Sequence, residues 1–220
     1  RRCKEILGAP SNRITVITKA VDSNVFRPVE RRKTHRRKTV LFVGRLSPEK
    51  GIPVLLEAFN NLIQRNLDLQ LLIVGFGTDK KYVDYLIDTT RKLKLQRNVF
   101  FLGSKRKDEL VSIYQQADVV AIPSIAEAFG KVTIEAMAAG VPVVVSDVGG
   151  LGEIIKDNET GLKVKPNDAV ALTEAIYSIL TDPHLHLRLA KAARAEVTKN
   201  YTWDKIINLT INVYNQVISL

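Results

Sequence analysis

The stretch DVVAIPSIAEAFGKVTIEAMAAGVPVVVS, residues 118–146, decides the fold. It opens and closes on short runs of apolar, mostly β-branched residues, Asp118–Ile122 and Pro142–Ser146, which predict two strands. A loop and a segment with helical spacing, from Lys131 to about Ala139, separate them. Because both runs are almost continuously apolar, we expect strands that are covered on both faces. The stretch therefore predicts a strand–helix–strand unit of a parallel sheet.

The same alternation extends along the rest of the chain. Further strands are predicted at Ile14–Thr18, Thr39–Val43, Gln70–Val74 and Asn98–Leu102. Helical periodicity lies between them, and two more helices are predicted at Ala169–Leu180 and Pro183–Val197, followed by an amphipathic helix over residues 201–220. We therefore expect an α/β fold with a doubly wound, Rossmann-like parallel sheet and C-terminal helices.

Length and composition predict one domain without a membrane span. The chain has 220 residues, of which 45% are hydrophobic, so it can bury a sizeable core. Its longest uncharged apolar stretch, Ala136–Ser146, is far shorter than the ~20 residues that cross a bilayer. A single cysteine, Cys3, cannot form an internal disulfide, which favours a reducing, cytoplasmic location. The first residues show neither an initiator Met nor a signal peptide, and we expect a piece of a longer protein.

The net charge of +10 is concentrated in one basic run, in which Arg31, Arg32, Lys33, Arg36, Arg37 and Lys38 are cations. Such a run could contact nucleic acid or the anionic inner face of a membrane. It contains no aromatic residues and lies between two predicted strands, which favours a solvated loop. We expect no nucleic-acid partner, and a weak peripheral membrane contact stays open.

The residues that follow each strand are the candidate ligand contacts, because parallel sheets bind ligands beyond the carboxyl ends of their strands. After Thr39–Val43, Gly44 allows close backbone approach, and Arg45 and Lys50 can converge on an anion such as a diphosphate. The alternative is two surface cations in a turn. After the next strand, Gly75 precedes Phe76-Gly77 without a third glycine, which fits a tight turn as well as a ligand loop.

Two glutamates mark the junction after Asp118–Ile122. Glu135 is the only charged residue of Val132–Val145, and a buried carboxylate needs hydrogen-bond donors, which the hydroxyls of a nucleotide ribose could supply. The alternative is that Glu135 faces solvent or pairs with a lysine. Glu127 lies at the mouth of the same helix, whose amino terminus attracts phosphate, and it can accept hydrogen bonds from sugar hydroxyls. This arrangement fits a nucleotide sugar.

These motifs together resemble those of the retaining glycosyltransferases with two Rossmann-like halves, the GT-B group that includes sucrose-phosphate synthases and glycogen synthases. The resemblance covers nearly the whole chain, and its most specific part is the pair Glu127 and Glu135 with Phe129-Gly130 between them. Further matches are Val16–Asp22, Phe26–Pro28, Val43–Leu46, Glu49–Gly51, Gly140–Val143, Val148–Gly150, Glu153–Ile155 and Gly161-Leu162. Two departures, Lys19-Ala20 and Lys131, fall at positions that bear on sugar or acceptor selection.

The resemblance implies roles for individual residues. Residues 1–200 would form the donor-binding C-terminal half, and the helix of residues 201–220 would pack on an N-terminal domain that binds a sugar or lipid-linked acceptor. Arg45 and Lys50 would hold the donor diphosphate, beside Gly44 and Gly75. Glu127 and the backbone of Phe129, Gly130 and Lys131 would contact the sugar. Thr133 would lie near the phosphates, and Glu135 would contact the ribose.

The implied reaction is transfer of a sugar from a UDP-, GDP- or ADP-sugar to an acceptor with retention of configuration. The sequence contains no Asp-x-Asp triplet and no His–acid spacing typical of a metal site, so we expect neither a metal nor another cofactor. This half alone should bind the donor without turning it over. The alternative is a non-catalytic nucleotide-binding subunit that docks on a separate acceptor-binding chain.

Overall fold

The computed structural model describes residues 8, 10, 13–29 and 37–219. Within these ranges six strands form one sheet: β1 (Lys38–Val43), β2 (Leu69–Val74), β3 (Val99–Gly103), β4 (Val119–Ile122), β5 (Val143–Ser146) and β6 (Leu162–Val164). The helices are α1 (Ile52–Ile63), α2 (Lys80–Lys92), α3 (Lys107–Gln116), α4 (Lys131–Ala138), α5 (Gly149–Ile154), α6 (Ala169–Thr181), α7 (Pro183–Asn200) and α8 (Trp203–Ile218), with a 3₁₀ turn at Pro48–Lys50.

The sheet is parallel throughout, with the strand order β3-β2-β1-β4-β5-β6. The chain winds outward from β1 through β2 to β3, and then outward from β4 through β5 to β6. The direction reverses between β1 and β4, and a crevice is expected beyond the carboxyl ends of strands at such a reversal. The predicted doubly wound parallel sheet is confirmed.

Both faces of the sheet are covered because successive strand residues point in opposite directions. On one face Phe42 packs with the apolar stripes of α1 and α6, and on the other face Leu41 packs with α4. All of these strand residues are almost fully buried. The continuous apolar runs in the sequence therefore follow from burial on both sides, as expected for parallel strands.

The predicted strand at Ile14–Thr18 is wrong. β6, which the sequence did not indicate, forms one edge of the sheet. The side chain of Val16 is 77% exposed, and in the described segment 13–29 the β pairing is limited to a bridge between Val21 and Thr202. The segment instead lays the ring of Phe26 against Tyr114, with 5.8 Å between ring centroids. β-branched residues favour extended backbone, but a strand also needs a partner edge.

The basic run is described only at its end. Cys3 and the first cations of the run, Arg31, Arg32, Lys33 and Arg36, lie outside the described residues. Arg37 forms a 2.8 Å ion pair with Asp68, and Lys38 donates to the carbonyl of Leu180. The described end of the run therefore anchors the start of β1, at the edge of the sheet opposite to the crevice.

The last helix, α8, is amphipathic as predicted. Its apolar stripe is mostly exposed, with Trp203 56%, Tyr214 65% and Val217 63% accessible, whereas Ile206 is buried. None of the helices in the described residues combines the length and the apolarity that crossing a membrane requires. The helix therefore presents an apolar surface that this part of the chain leaves uncovered.

Candidate functional site

The loops that follow β1 and β4 are fastened to each other at the carboxyl edge of the sheet. The backbone amide of Ile125, in the second loop, donates to the carbonyl of Glu49, in the first, over 2.8 Å. Both strands are neighbours in the sheet, so their loops leave it side by side. This contact brings the cations predicted in the first loop to the glutamate predicted in the second.

Lys50 and Glu127 form an ion pair, with 2.6 Å between Nζ and Oε2. Their side chains are only 17% and 19% exposed, so the pair is largely shielded from solvent. Arg45 lies farther out, 68% exposed, and contacts Glu49 over 3.2 Å. The hydroxyl of Ser47 donates to Glu49, and this bond is the main reason that the pKa of Glu49 lies below its usual value. Both predicted cations thus face carboxylates.

The amino terminus of α4 completes a small cavity around these cations. Gly130 is the N-cap residue of α4, and the first amides of a helix lack partners within it, although the amide of Thr133 donates to the carbonyl of Gly130 over 3.0 Å. A cavity of about 140 Å³ is lined by the ends of β1 and β4 and by Gly44, Arg45, Lys50, Ser124, Glu127, Gly130 and Val132. Two cationic side chains and a helix amino terminus around one cavity favour an anion.

Glu127 also borders a second and larger depression. This depression, of about 740 Å³, is lined by residues 125–128, by Val148–Gly150 and by Glu153. Glu127 lies between the small cationic cavity and the larger one, because it lines both. A ligand with an anionic part and a polyhydroxy part could place one in each cavity, with the Glu127 carboxylate at the boundary.

The glycine pair before Leu151 holds the backbone of the Glu127 loop. The amide of Gly150 donates to the carbonyl of Glu127 over 3.0 Å. A Cβ on Gly150 would lie 2.5 Å from the carbonyl oxygen of Ala128 and 2.6 Å from the Cα of Phe129. Only glycine allows α5 to begin this close to the loop, which explains the Gly-Gly sequence after β5.

Gly150→Ala should therefore displace the Glu127 loop, lower the melting temperature and weaken nucleotide binding, measured by thermal unfolding and by calorimetric titration. Gly152→Ala is the matched control on the same helix. Its Cβ would meet the carboxylate of Asp147, a side chain that can move, at 2.5 Å. Equal losses in the two variants would contradict the role of the close approach at Gly150.

Glu135 is buried and its carboxylate is already paired. The residue is 6% exposed, Tyr114 donates its hydroxyl to Oε2 over 3.1 Å, and Lys131 Nζ lies 3.4 Å from Oε1. Burial raises the pKa of Glu135, while Lys131 and Tyr114 act in the opposite direction. Pairing with a lysine, the alternative left open by the sequence, is present in the unliganded chain. The tyrosine, 21 positions away, was not indicated by any sequence signal.

The remaining predicted residues have mixed positions. Thr133 is fully buried near Gly130, whereas the ring of Phe129 turns toward Tyr201, with 6.3 Å between centroids. Gly75 lines neither of the two cavities. A Cβ on Gly75 would lie 1.8 Å from the carbonyl oxygen of Gly44, so the tight turn explains this glycine. Sequence reasoning missed Tyr114, Ser124 and the depression beside Glu153. Among the described residues, no group of three or more metal-ligating side chains is present.

The chain is similar to known proteins over most of its length. The family model described as glycosyl transferases group 1 matches residues 26–196. Glycogen synthase from Mycobacterium tuberculosis is 36% identical over 96% of this chain and 50% of its own length. Sucrose-phosphate synthase from Thermosynechococcus elongatus is 33% identical with a TM-score of 0.83, over 92% of this chain and 52% of that structure.

A second similar structure, HepE from Anabaena, was solved in complex with UDP and with UDP-glucose. It is 23% identical, with TM-scores of 0.84 and 0.83, over 97% of this chain and 59% of that one. At this identity the likeness concerns the fold. The chain spans about half the length of the curated relatives that it matches.

Proposed function

Because the chain belongs to the glycosyl transferases group 1 family, we propose that it is the donor-binding C-terminal half of an enzyme that transfers a sugar from a nucleoside-diphosphate sugar to an acceptor. The observation that carries the proposal is the small cationic cavity. Lys50, Arg45 and the amino terminus of α4 surround it, and Glu127 separates it from a larger depression. A nucleotide sugar carries an anionic diphosphate beside a polyhydroxy group, in the order that these cavities offer.

The donor would lie along α4. Its diphosphate would occupy the small cavity and take Lys50 over from Glu127, whose carboxylate would then accept hydrogen bonds from the sugar. Glu135, eight positions farther along the chain, would accept from the ribose. Its present partners, Tyr114 and Lys131, supply one hydrogen bond and one ion pair, and a carboxylate offers about four acceptor sites. The ribose can therefore be added without breaking both contacts.

Negative charge develops on the leaving diphosphate as the bond to the sugar breaks. Lys50, Arg45 and the α4 amides would stabilise that charge, and such electrostatic stabilisation is the largest contribution in many enzymes. These groups can neutralise the diphosphate by themselves, so the proposal includes neither a metal nor another cofactor. Retention of configuration belongs to the proposal through the resemblance of the two-glutamate motif to the retaining group.

The exposed stripe of α8 belongs to the same proposal. Residues 201–220 would pack on the other half of the enzyme, which would bind the acceptor. The same stripe would also suit a non-catalytic nucleotide-binding subunit that docks on a separate chain. Donor-dependent transfer by the full-length protein supports the enzyme. If the full-length protein binds the donor but transfers the sugar only when a second chain is added, the result supports the subunit.

Glu127→Gln tests which part of the donor this residue contacts. The change removes the carboxylate that now holds Lys50, so the diphosphate should bind as well or up to about 10-fold tighter, whereas the added affinity for the attached sugar should disappear. Calorimetry with UDP, GDP and ADP and with their glucose conjugates measures both effects. Glu174→Gln, which breaks the exposed pair with Arg65, is the control. A variant that keeps the full preference for the sugar conjugate would contradict the assignment.

A further inference from the structure

Two hydroxyl groups, one in the loop after β4 and one in the first turn of α4, are buried without a hydrogen-bond partner in the described part of the chain. Ser124 and Thr133 are both 0% exposed, and neither oxygen has a partner within the described part of the chain. Buried polar groups in folded proteins are nearly always paired, because an unpaired one has lost its hydration without replacement. By contrast, two other buried threonines, Thr90 and Thr173, donate to carbonyls of their own helices.

One of the two unpaired hydroxyls lines the cavity that both cations border, and the other lies beside it. Ser124 follows β4 and lines the small cavity together with Arg45, Lys50 and Gly130. Thr133 belongs to the first turn of α4, and its hydroxyl lies 3.0 Å from the place that a Cβ on Gly130 would occupy, close to the helix amino terminus. The loop after β4 therefore brings one unpaired donor to a cavity whose charge favours an anion, and the first turn of α4 holds a second one next to Gly130, which lines that cavity.

We propose that the Ser124 hydroxyl, together with that of Thr133, donates a hydrogen bond to a phosphoryl oxygen of the bound nucleoside diphosphate. This inference rests on the proposed function and adds Ser124 to the residues that bind the donor. A hydroxyl that donates to a charged oxygen makes a short and strong bond, which would pair both groups in the bound state.

In this proposal the donor reaches the Ser124 hydroxyl by displacing the ion pair between Lys50 and Glu127. Both of its side chains line the same cavity as Ser124, and the pair is closed at 2.6 Å in the unliganded chain. A diphosphate that draws Lys50 to itself opens this contact and reaches the wall behind it. The Ser124 hydroxyl, which is buried and unpaired in the structure, would be paired once the donor binds.

The inference predicts opposite effects on stability and on binding. Ser124→Ala removes an unpaired buried hydroxyl, so the unliganded chain should melt at the same or a higher temperature. The same variant should bind the diphosphate about 10-fold or more weakly, because a hydrogen bond to a charged group is lost. A serine that only supports the fold would lower the melting temperature when replaced.

The experiment compares the 220-residue chain with its Ser124→Ala, Thr133→Val and Thr173→Val variants, by thermal unfolding without nucleotide and by calorimetric titration with UDP, GDP and ADP. The corresponding nucleosides, measured in competition, probe the part of the donor without phosphate. Thr173→Val is the control, because its hydroxyl donates to the carbonyl of Ala169 over 2.7 Å. It should lower the melting temperature and leave binding unchanged.

Weaker binding of the diphosphate in Ser124→Ala and Thr133→Val, with unchanged affinity for the nucleoside and no loss of stability, supports the inference. Unchanged affinity for the diphosphate overturns it, and so does a loss that is equal for diphosphate and nucleoside. Thr133→Val is nearly isosteric and decides the matter if Ser124→Ala does not fold. Failure of the unsubstituted chain to bind any of the three diphosphates overturns the proposed function itself, which separates the two failures.

Discussion

Lys50→Ala is expected to weaken binding of the nucleoside diphosphate by about 100-fold, and to lower kcat/KM of the full-length enzyme by roughly 10²–10³. Lys50 is the more shielded of the two cations, with a side chain 17% exposed, so its charge is screened less by solvent than that of Arg45. Its loss also leaves Glu127 beside the diphosphate without a counterion, which adds repulsion to the lost attraction. Calorimetry and initial-rate measurements check the two effects.

Two further variants serve as a control for Lys50→Ala and as a test of the second cation. Lys156→Ala breaks another lysine–glutamate pair, the 3.0 Å contact with Glu196, at an exposed place away from the cavity, and should change neither quantity. Arg45→Ala should remove several kcal/mol of transition-state stabilisation if Arg45 leaves Glu49 for the diphosphate. Near-normal turnover in Lys50→Ala or in Arg45→Ala would remove that residue from the diphosphate site.

Glu135→Gln is expected to stabilise the unliganded chain at neutral pH while it weakens nucleotide binding by roughly 10–100-fold, the value of hydrogen bonds to a charged group. Glu135 is buried and its pKa is raised by that burial, so its ionised form costs folding free energy. The neutral amide avoids this cost and can still accept the bond from Tyr114. The amide accepts weaker hydrogen bonds from ribose hydroxyls than the carboxylate does, because it carries no charge.

The gain in stability should depend on pH with a definite sign. Where folding raises the pKa of a carboxyl group, the free energy of unfolding falls as the pH rises from the ordinary pKa to the raised one. The original chain should lose stability over that range above about 4.5, the ordinary value, and Glu135→Gln should not. Unfolding in denaturant across this range measures the difference. A gap that widens as the pH falls, or nucleotide affinity equal to that of the original chain, would contradict the role of Glu135.

The sequence predicted the central strands well, because each is apolar on both faces and is followed by a distinct loop. The edges were harder to predict. β6 spans only three residues with Lys163 at its centre, too short to show a pattern. The segment Ile14–Thr18 has the residues of a strand, but pairing depends on which edge is free, and a local pattern carries no such information.

The structure adds hydrogen-bond and ion-pair partners to the two glutamates that the sequence singled out. The position of Glu135 among apolar residues correctly indicated burial. The spacing of Lys131, four positions earlier on the helix, could have indicated the ion pair. Tyr114 could not be foreseen, since its contact with Glu135 depends on how α3 packs against α4. The pairing of Lys50 with Glu127 joins residues 77 positions apart and follows from the adjacency of β1 and β4 in the sheet.

No sequence signal indicated the unpaired hydroxyl of Ser124. Ser124 has no periodicity, charge or spacing that separates it from any other loop serine in the sequence. What distinguishes it is the lack of a partner for a fully buried oxygen in the described structure, and this is visible only once the surrounding loops are in place. The strongest indications of a ligand contact can thus come from what a folded chain leaves unsatisfied.

Calorimetric titration of this 220-residue chain with UDP, GDP and ADP, repeated on Lys50→Ala, tests the donor site most directly. We predict saturable binding of at least one diphosphate at a single site, and a loss of about 100-fold in the variant. Binding of none of the three diphosphates, or equal affinity in the original chain and in Lys50→Ala, would contradict the proposal that this cavity holds the donor.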